Sequence, residues 1–312
     1  MKFRTEIPSP SYPFQISYSD RMMFFGSCFS EHISQFFRTC RFQVGPDAFG
    51  ILFNPLSIAQ SLHFLAEKSF FCDEKMQNRE EKMQDFDEKK QFFDDFCQFY
   101  DEKWHSFLHH GRFSHPRPEL FWENIKSEFS AAADFLPQTD VLFVTLGTAY
   151  YYFHKEKRRV VANCHKVPAP AFEKQLAEMD QIVDAFSPFF RWRKQHAPHL
   201  RVVFTVSPVR HLSDGFHENQ LSKSILHLSI EKLQHLYAEV YYFPAYEILL
   251  DDLRDYRFYD TDLCHPSAQA IAYLQEILTE SLLDPFTRQQ LAEVQRENRR
   301  TAHRPLNTAG EK

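Results

Sequence analysis

Short runs of β-branched and aromatic residues alternate along the chain with longer stretches that have the spacing of amphipathic helices. The short runs predict buried strands over Met22–Phe25, Val141–Leu146, Arg201–Val206 and Val240–Phe243. The helical spacing predicts helices over Phe29–Cys40, Leu56–Lys68, Phe121–Phe135, Phe172–Phe190, Asn219–Tyr237 and Pro266–Leu283. Strands separated by helices of this length imply crossover connections and a mostly parallel sheet covered on both faces. We therefore expect a single three-layer α/β/α sandwich over residues 1–284.

Three segments depart from this alternation. Tyr150–Phe153 and Arg159–Val161 predict a hairpin inserted after the second strand. Residues 73–103 contain 11 acidic and 6 basic residues, a net charge of 6 − 11 = −5, and repeat the pattern E-K-x-Q every seven residues. We expect a solvated helical or disordered insertion here, with a partner-binding coiled coil as the alternative. The polar, basic tail over residues 285–312 is expected to be a loosely docked helix with a frayed end.

Composition excludes several classes of protein. The chain has 36 Lys and Arg against 42 Asp and Glu, and 43% of its residues are apolar, so it can bury a large core. The acidic balance, without a basic stripe, argues against nucleic acid as a partner. No run of 18 apolar residues and no apolar leader is present, so we expect a cytoplasmic protein without a membrane span. Nothing in the composition indicates an oligomeric state.

Cysteine and histidine spacing favours neither a disulfide framework nor a metal site. The six cysteines include no C-x-x-C pair, and free thiols are therefore expected. His109, His110 and His115 lie close together but lack the H-E-x-x-H arrangement of a zinc site. No metal and no cofactor are predicted.

A rare glycine and a serine mark the junction of the first strand and the first helix. The chain has only 7 glycines in 312 residues, and Gly26 precedes Ser27 at this junction. Ligands bind at the carboxyl ends of parallel strands, and a serine there combines a hydroxyl with an N–H at a helix N-terminus. Ser27 is therefore a candidate nucleophile. The alternatives are a plain helix cap and a thiolate nucleophile at the neighbouring Cys28.

A second candidate segment precedes the last predicted helix of the sandwich. Asp262 and His265 have D-x-x-H spacing, which lets the carboxylate accept a hydrogen bond from one ring nitrogen and direct the other nitrogen towards a hydroxyl. Pro266 is expected in the first helical turn. The alternative is that Asp262 only stabilises a turn and His265 points into solvent. A serine nucleophile needs such an oriented base, because a free hydroxyl is barely ionised at neutral pH.

These two segments together resemble the GSCFA family, which is similar to SGNH (GDSL-type) hydrolases. The resemblance covers about residues 4–284 and rests on the sequence G-S-C-F-S at residues 26–30 and on D-x-x-H-P-S at residues 262–267. Further matching segments are F-N-P-L-S-I at 53–58, T-L-G-T-A at 145–149, V-A-N-C-H-K at 161–166, V-S-P-V-R-H at 206–211 and D-Y-R-F-Y at 255–259. One departure is Ser30, where the family name has alanine.

The resemblance implies a triad of Ser27, Asp262 and His265 and an oxyanion hole around Ser27. The backbone N–H of Ser27 and that of Gly50 would be two of its donors. The asparagine expected for the third donor is replaced here by Gly147 and Thr148, so the candidates are Thr148, Asn54 and Asn163. Loop residues that could contact the substrate are Asn54, Gly147, Asn163, His165, Ser207, Arg210 and His211. Loop capping is the alternative role for the last five of these.

The implied function is hydrolysis of ester bonds through an acyl-enzyme. A short-acyl or carbohydrate ester is the first expectation for a small-molecule or glycan substrate. An O-acyltransferase would use the same triad. The alternatives from other classes are a catalytically inactive binding protein on this fold and a scaffold that acts through the acidic segment.

Overall fold

The computed structural model describes residues 4–70 and 81–302 as alternating strands and helices. Its strands are β1 (Arg21–Gly26), β2 (Gln43–Val44), β3 (Cys97–Tyr100), β4 (Lys103–Ser106), β5 (Val141–Leu146), β6 (Tyr150–His154), β7 (Arg159–Val161), β8 (Phe172–Leu176), β9 (Arg201–Val206) and β10 (Val240–Tyr242). Its α-helices are α1 (Cys28–Thr39), α2 (Pro55–Glu67), α3 (Glu81–Phe96), α4 (Pro118–Phe135), α5 (Met179–His196), α6 (Phe216–Leu236), α7 (Ala245–Glu247), α8 (Ala268–Leu282) and α9 (Pro285–Ala302).

A parallel sheet in the order β10-β9-β5-β1-β2 forms the centre of the fold. Every neighbouring pair in it is parallel, and β1 pairs with β5 from Met22 opposite Val141 to Gly26 opposite Thr145. All four predicted strands are present in this sheet. The edge strand β2 was not predicted, because two residues are too few to carry a pattern.

Successive residues of β1 point to opposite faces of the sheet, as strand geometry requires. Met23 and Phe25 pack into a core shared with α2, α4, α5 and α6, whereas Met22 and Phe24 pack into a second core with α1 and α8. The helices therefore cover both faces, which confirms the three-layer α/β/α sandwich. No helix within residues 4–70 and 81–302 combines the length and the apolarity needed to cross a membrane.

A small antiparallel sheet corrects one predicted helix. The hairpin of β6 and β7 forms as expected, and β8 adds to it with Tyr150 opposite Leu176. The helix predicted over Phe172–Phe190 therefore begins only at Met179, because its first residues pair with β6. Pro266 also differs from expectation, since α8 begins at Ala268 and is capped by Ser267.

The acidic segment is only partly described. Residues 71–80, which contain the first copy of the seven-residue repeat, lie outside the described residues, so the coiled-coil interpretation stays a prediction. The following helix α3 ends in the core, where the ring of Phe92 lies 4.8 Å from that of Phe70. The β3–β4 hairpin, which was not predicted, follows directly. The end of the segment is thus part of the packed protein rather than a solvated arm.

The tail forms the expected helix, and that helix packs against the second core. Leu291 of α9 is buried there. The Asn298 side chain donates to the carbonyl of Thr39 at the end of α1 at 3.0 Å, and Glu297 pairs with Arg41 at 2.9 Å. The helix α9 is therefore docked on the helix that follows Ser27. Residues 303–312, where a frayed end was predicted, lie outside the described residues.

Candidate active site

The candidate catalytic residues lie where the central strands end. Ser27 follows β1, Gly147 follows β5 and Ser207 follows β9. Because these strands are parallel, their carboxyl ends share one edge of the sheet, which is where open α/β sheets bind ligands. The loops that follow the strands build the site from this edge.

Gly26 and Ser27 form a tight turn from β1 into α1. Gly26 has a φ of +127°, and a β-carbon built on it would lie 2.0 Å from the carbonyl oxygen of Thr145 on the neighbouring strand. Only glycine allows this conformation and this close approach. Ser27 is the N-cap of α1, as the alternative interpretation had it, but its side chain makes no capping hydrogen bond. Its hydroxyl is therefore available for other contacts.

We expect Gly26→Ala to lower the unfolding free energy by roughly 3 kcal/mol or more, because the new methyl group would collide with backbone atoms of β5 and the φ angle would be strained. The matched control is Gly111→Ala, whose β-carbon would meet no closer atom than His165 Nδ1 at 4.0 Å. That variant should stay within about 0.5 kcal/mol of the wild type. Urea unfolding measures both, and equal losses would contradict the tight packing of the turn.

The Ser27 hydroxyl is buried and faces the end of β9. Ser27 is 1% exposed, and its Oγ donates to the Oγ of Ser207 at 3.0 Å. Its backbone N–H donates to the carbonyl of Thr145 at 3.3 Å. Ser207, predicted as a substrate-contacting residue, thus holds the proposed nucleophile in this structure.

Asp262 and His265 form the carboxylate–imidazole pair that their spacing predicts. The Nδ1 atom of His265 lies 2.5 Å from Asp262 Oδ2, and Asp262 Oδ1 accepts the backbone N–H groups of Cys264 and His265. The hydrogen bonds from His265 contribute most to lowering the pKa of Asp262 to about 2. The carboxylate is therefore ionised at neutral pH and fixes the imidazole with Nε2 directed away from it.

The loop after β9 joins the two halves of the site. Arg210 lies in this loop and contacts the turn that carries His265. Its backbone N–H donates to the carbonyl of Cys264 at 3.0 Å, and its guanidinium donates to the carbonyl of Leu263 at 3.0 Å. The same loop begins with Ser207, the partner of Ser27. Ser27 itself hydrogen-bonds to Ser207 and not to His265. The Asp262 and His265 side chains are about half exposed, in line with the alternative of a turn at the surface, whereas Ser27 is buried.

The predicted oxyanion donors are engaged within the protein. The N–H of Gly50 donates to Asp47 Oδ1 at 2.8 Å, and the hydroxyl of Thr148 shares a hydrogen bond with Ser222 Oγ at 3.0 Å. The N–H groups of Gly147 and Thr148 both donate to the carbonyl of Phe53. Each of these groups has an internal partner that a bound oxyanion would have to displace.

Three of the predicted substrate-contacting residues make contacts within the protein that hold loops and a helix end. Asn54 caps α2 by accepting from the N–H of Ser57 at 2.8 Å, and Asn163 Oδ1 accepts from the N–H of His165 at 2.9 Å. The His165 ring pairs with the carbonyl of Ser106 at 2.7 Å, and burial lowers its pKa to about 4. The structure gathers Ser207, Arg210 and His211 around the Ser27 and His265 segments.

Neither the thiol nor the histidine alternative gains support. Burial is the main cause of a raised pKa at the Cys28 thiol, the opposite of what a thiolate nucleophile needs. His109 is fully buried, bonded to Ser106 Oγ at 2.7 Å, and burial lowers its pKa to about 3. Within the described part of the chain, no group of three or more His, Cys, Asp or Glu residues could hold a metal ion.

A buried lysine at this edge of the sheet was missed in the sequence. Lys223 of α6 is 1% exposed, and its Nζ donates to the carbonyls of Gly147 at 2.7 Å and Ser207 at 2.8 Å. Burial lowers its pKa to about 7. The sequence feature that could have indicated its burial is the helical spacing of Asn219, Lys223 and Leu226, which extends the buried face of α6 towards the N-terminus of the helix. Lys223 ties the ends of β5 and β9 together.

Comparison with known proteins establishes the family. The GSCFA family profile matches residues 21–277, and the chain belongs to the GSCFA family. No curated protein sequence matches the chain.

Two solved structures are similar to parts of it. One is a carbohydrate esterase family 2 enzyme with a carbohydrate binding domain from Corynascus thermopiles (Myceliophthora fergusii), with 16% identity over 50% of this chain and 37% of that chain and a TM-score of 0.29. The other is an acetyl xylan esterase from the rumen bacterium Butyrivibrio proteoclasticus, with 13% identity over 85% of this chain and 64% of that chain and a TM-score of 0.36. The chain thus spans less than two thirds of either structure.

Proposed function

We propose that this protein is a serine hydrolase that cleaves ester bonds through an acyl-enzyme on Ser27. The observation that carries the proposal is the 2.5 Å contact between Asp262 and His265 Nδ1, because it orients a base with a free second nitrogen. The loop that contacts this turn through Arg210 also holds the Ser27 hydroxyl through Ser207. Nucleophile, base and orienting carboxylate thereby belong to one connected set of loops.

The reaction begins with a change of partner for the Ser27 hydroxyl. It requires Oγ to leave Ser207 and come within reach of His265 Nε2, by rotation about χ1 to another staggered position. His265 Nε2 then takes the hydroxyl proton while Oγ forms a bond to the ester carbonyl carbon, and the carbonyl electrons move onto its oxygen. Asp262 remains ionised and stabilises the imidazolium.

The remaining steps reuse the same histidine. When the tetrahedral intermediate collapses, the ester C–O bond breaks and His265 gives its proton to the leaving alcohol oxygen. Water then attacks the acyl-serine, His265 accepts a proton from that water, and the carboxylic acid leaves as the proton returns to Ser27 Oγ.

A cavity next to Arg210 supports a small-molecule or glycan ester as the substrate. It has a volume of about 320 Å³ and is lined by Arg210, Tyr246 and Tyr259, among others, but not by Ser27, Asp262 or His265. Arg210 contacts the Asp262–His265 turn directly, and its guanidinium lies 5.3 Å from the centre of the Tyr259 ring. Aromatic faces with a few polar groups are typical of ligand pockets, and they suit a sugar ring or a short acyl chain.

A second candidate function is ligand recognition without catalysis. It is favoured by one observation: Ser27 is 1% exposed and its hydroxyl is bonded to Ser207. A protein that keeps this arrangement permanently would bind ligands at the edge of the sheet and leave them unchanged.

Reaction with a fluorophosphonate separates the two functions. We expect the full chain to be labelled once, at Ser27, because only an activated serine attacks this phosphorus centre. Mass spectrometry of the digested protein identifies the labelled residue. We also expect turnover of p-nitrophenyl acetate, with butyrate and octanoate esters reporting the preferred acyl length. A chain that is neither labelled nor active on these esters would be the recognition protein.

A further inference from the structure

A serine hydrolase must stabilise the oxyanion of its tetrahedral intermediate, usually with two or three hydrogen-bond donors. The predicted donors Ser27, Gly50 and Thr148 all have partners inside the protein. Lys223 is likewise committed, to the carbonyls of Gly147 and Ser207. A hydrogen-bond donor without an internal partner at this edge of the sheet would therefore be better placed to bind the oxyanion.

His211 has such an atom. Its Nε2 is buried and has no hydrogen-bond partner among the residues that the structure describes. Buried polar atoms in native proteins nearly always have a partner, so an orphaned one at a sheet edge points to a ligand. Its backbone N–H donates to Asn219 Oδ1 at 2.9 Å. The centre of its ring lies 5.9 Å from the centre of the Phe53 ring.

The orphaned nitrogen lies beside Gly147, at the end of β5. A β-carbon built on Gly147 would be 3.5 Å from His211 Nε2. Because β5 lies between β1 and β9 in the sheet, the 3.0 Å contact between Ser27 and Ser207 crosses the end of β5, where Gly147 lies. The His211 ring and the Ser27–Ser207 contact therefore lie at the same edge of the sheet, around the end of β5.

Resting on the function proposed above, we propose that His211 Nε2 donates a hydrogen bond to the oxyanion of the tetrahedral intermediate formed on Ser27. The residue would thus be catalytic and not only a substrate contact. It would supply the side-chain donor that Gly147 and Thr148 do not offer.

The electrostatics of the site suit a neutral donor. Burial, assisted by the charge of Lys223, lowers the pKa of His211 to about 4. The other titratable groups that act on it are Asp214, which opposes the lowering, and His265 and Lys174, which add to it. The ring is therefore uncharged at neutral pH, and with its proton on Nε2 it has one hydrogen bond to give. Proton transfer is left to His265.

The decisive variants are His211→Phe, which keeps a ring without a donor, and His211→Gln, which keeps a donor. We expect His211→Phe to lower kcat for p-nitrophenyl acetate by about 10²–10³-fold with little change in KM, and His211→Gln to recover part of that loss. Affinity for phenylboronic acid, which forms a tetrahedral adduct on serine, should fall with kcat in His211→Phe. The pH profile of kcat/KM should keep its shape.

Controls distinguish this role from a structural one. His235→Ala, at the exposed far end of α6, should match the wild type in all measurements. Thermal unfolding of His211→Phe checks that the fold persists. Wild-type kcat and boronate affinity in that variant would overturn the proposal. A folded His211→Gln variant with a kcat as low as that of His211→Phe would also overturn it. A displaced acidic limb of the pH profile would also overturn it, since His211 would then be a base. Activity that depends on Ser27 but not on His211 refutes this inference alone, whereas an inert, unlabelled wild type refutes both.

Discussion

The Ser27→Ala variant is expected to hydrolyse p-nitrophenyl acetate with a kcat about 10⁴–10⁶-fold below that of the wild type. The methyl group cannot form the acyl-enzyme, so only binding and oxyanion stabilisation by the rest of the site remain. The side chain is small and its hydroxyl hydrogen-bonds to another hydroxyl, that of Ser207, so the fold should persist. Steady-state kinetics together with thermal unfolding measure both properties.

Two variants on the same helix serve as controls. Ser34→Ala removes an exposed hydroxyl that donates to the carbonyl of Glu31 at 3.0 Å, and its activity should equal that of the wild type. Cys28→Ala removes the thiol next to Ser27 and should also remain active. Activity that survives in Ser27→Ala and disappears in Cys28→Ala would reverse the assignment and make the thiol the nucleophile.

The Lys223→Met variant is expected to lose a pH dependence of stability that the wild type shows from about pH 7 to pH 10.5. In the folded protein burial lowers the lysine pKa from 10.5 to about 7. Between these values the unfolded chain binds more protons, so the unfolding free energy of the wild type rises with pH, by about 1.4 kcal/mol per pH unit and about 5 kcal/mol in all. Below pH 7 the lysine is protonated in both states, and its contribution is constant.

Methionine has nearly the length of lysine but no charge, so it removes this proton linkage. It also leaves the carbonyls of Gly147 and Ser207 without their donor, which lowers stability at every pH by about 1–3 kcal/mol for each carbonyl. Urea unfolding at a series of pH values should show the difference between wild type and variant widening as the pH rises. Lys232→Met, at an exposed position of the same helix paired with Asp180, is the control. Parallel curves for Lys223→Met and the wild type would refute the prediction.

The strands of the central sheet could be predicted because burial on both faces makes them continuous apolar runs. The error at Phe172–Phe190 has a physical cause: five of these residues form β8, whose conformation depends on pairing with β6, about twenty residues earlier in the chain. The same holds for β2 and the β3–β4 hairpin. A short strand is defined by its partner more than by its own residues, and partners are not visible in a local pattern.

In the candidate site, too, local geometry could be predicted from the sequence and contacts between distant residues could not. The Asp262–His265 pair could be predicted, since both residues belong to one turn and their geometry is local. The contact of Ser27 with Ser207 joins residues 180 positions apart, and the burial of Lys223 depends on carbonyls at the ends of two other elements. Chemistry assembled across strand ends becomes visible only when the sheet order is known.

The docking of α9 on α1 changes how the C-terminal segment should be regarded. The helix α1 begins beside Ser27 and has 12 residues, so its other end lies about 18 Å away. At that end Asn298 contacts Thr39 and Glu297 contacts Arg41. Shortening the chain at residue 284 would therefore remove more than a dispensable extension. It would remove the contacts that hold the C-terminal end of α1, the helix whose N-cap is Ser27.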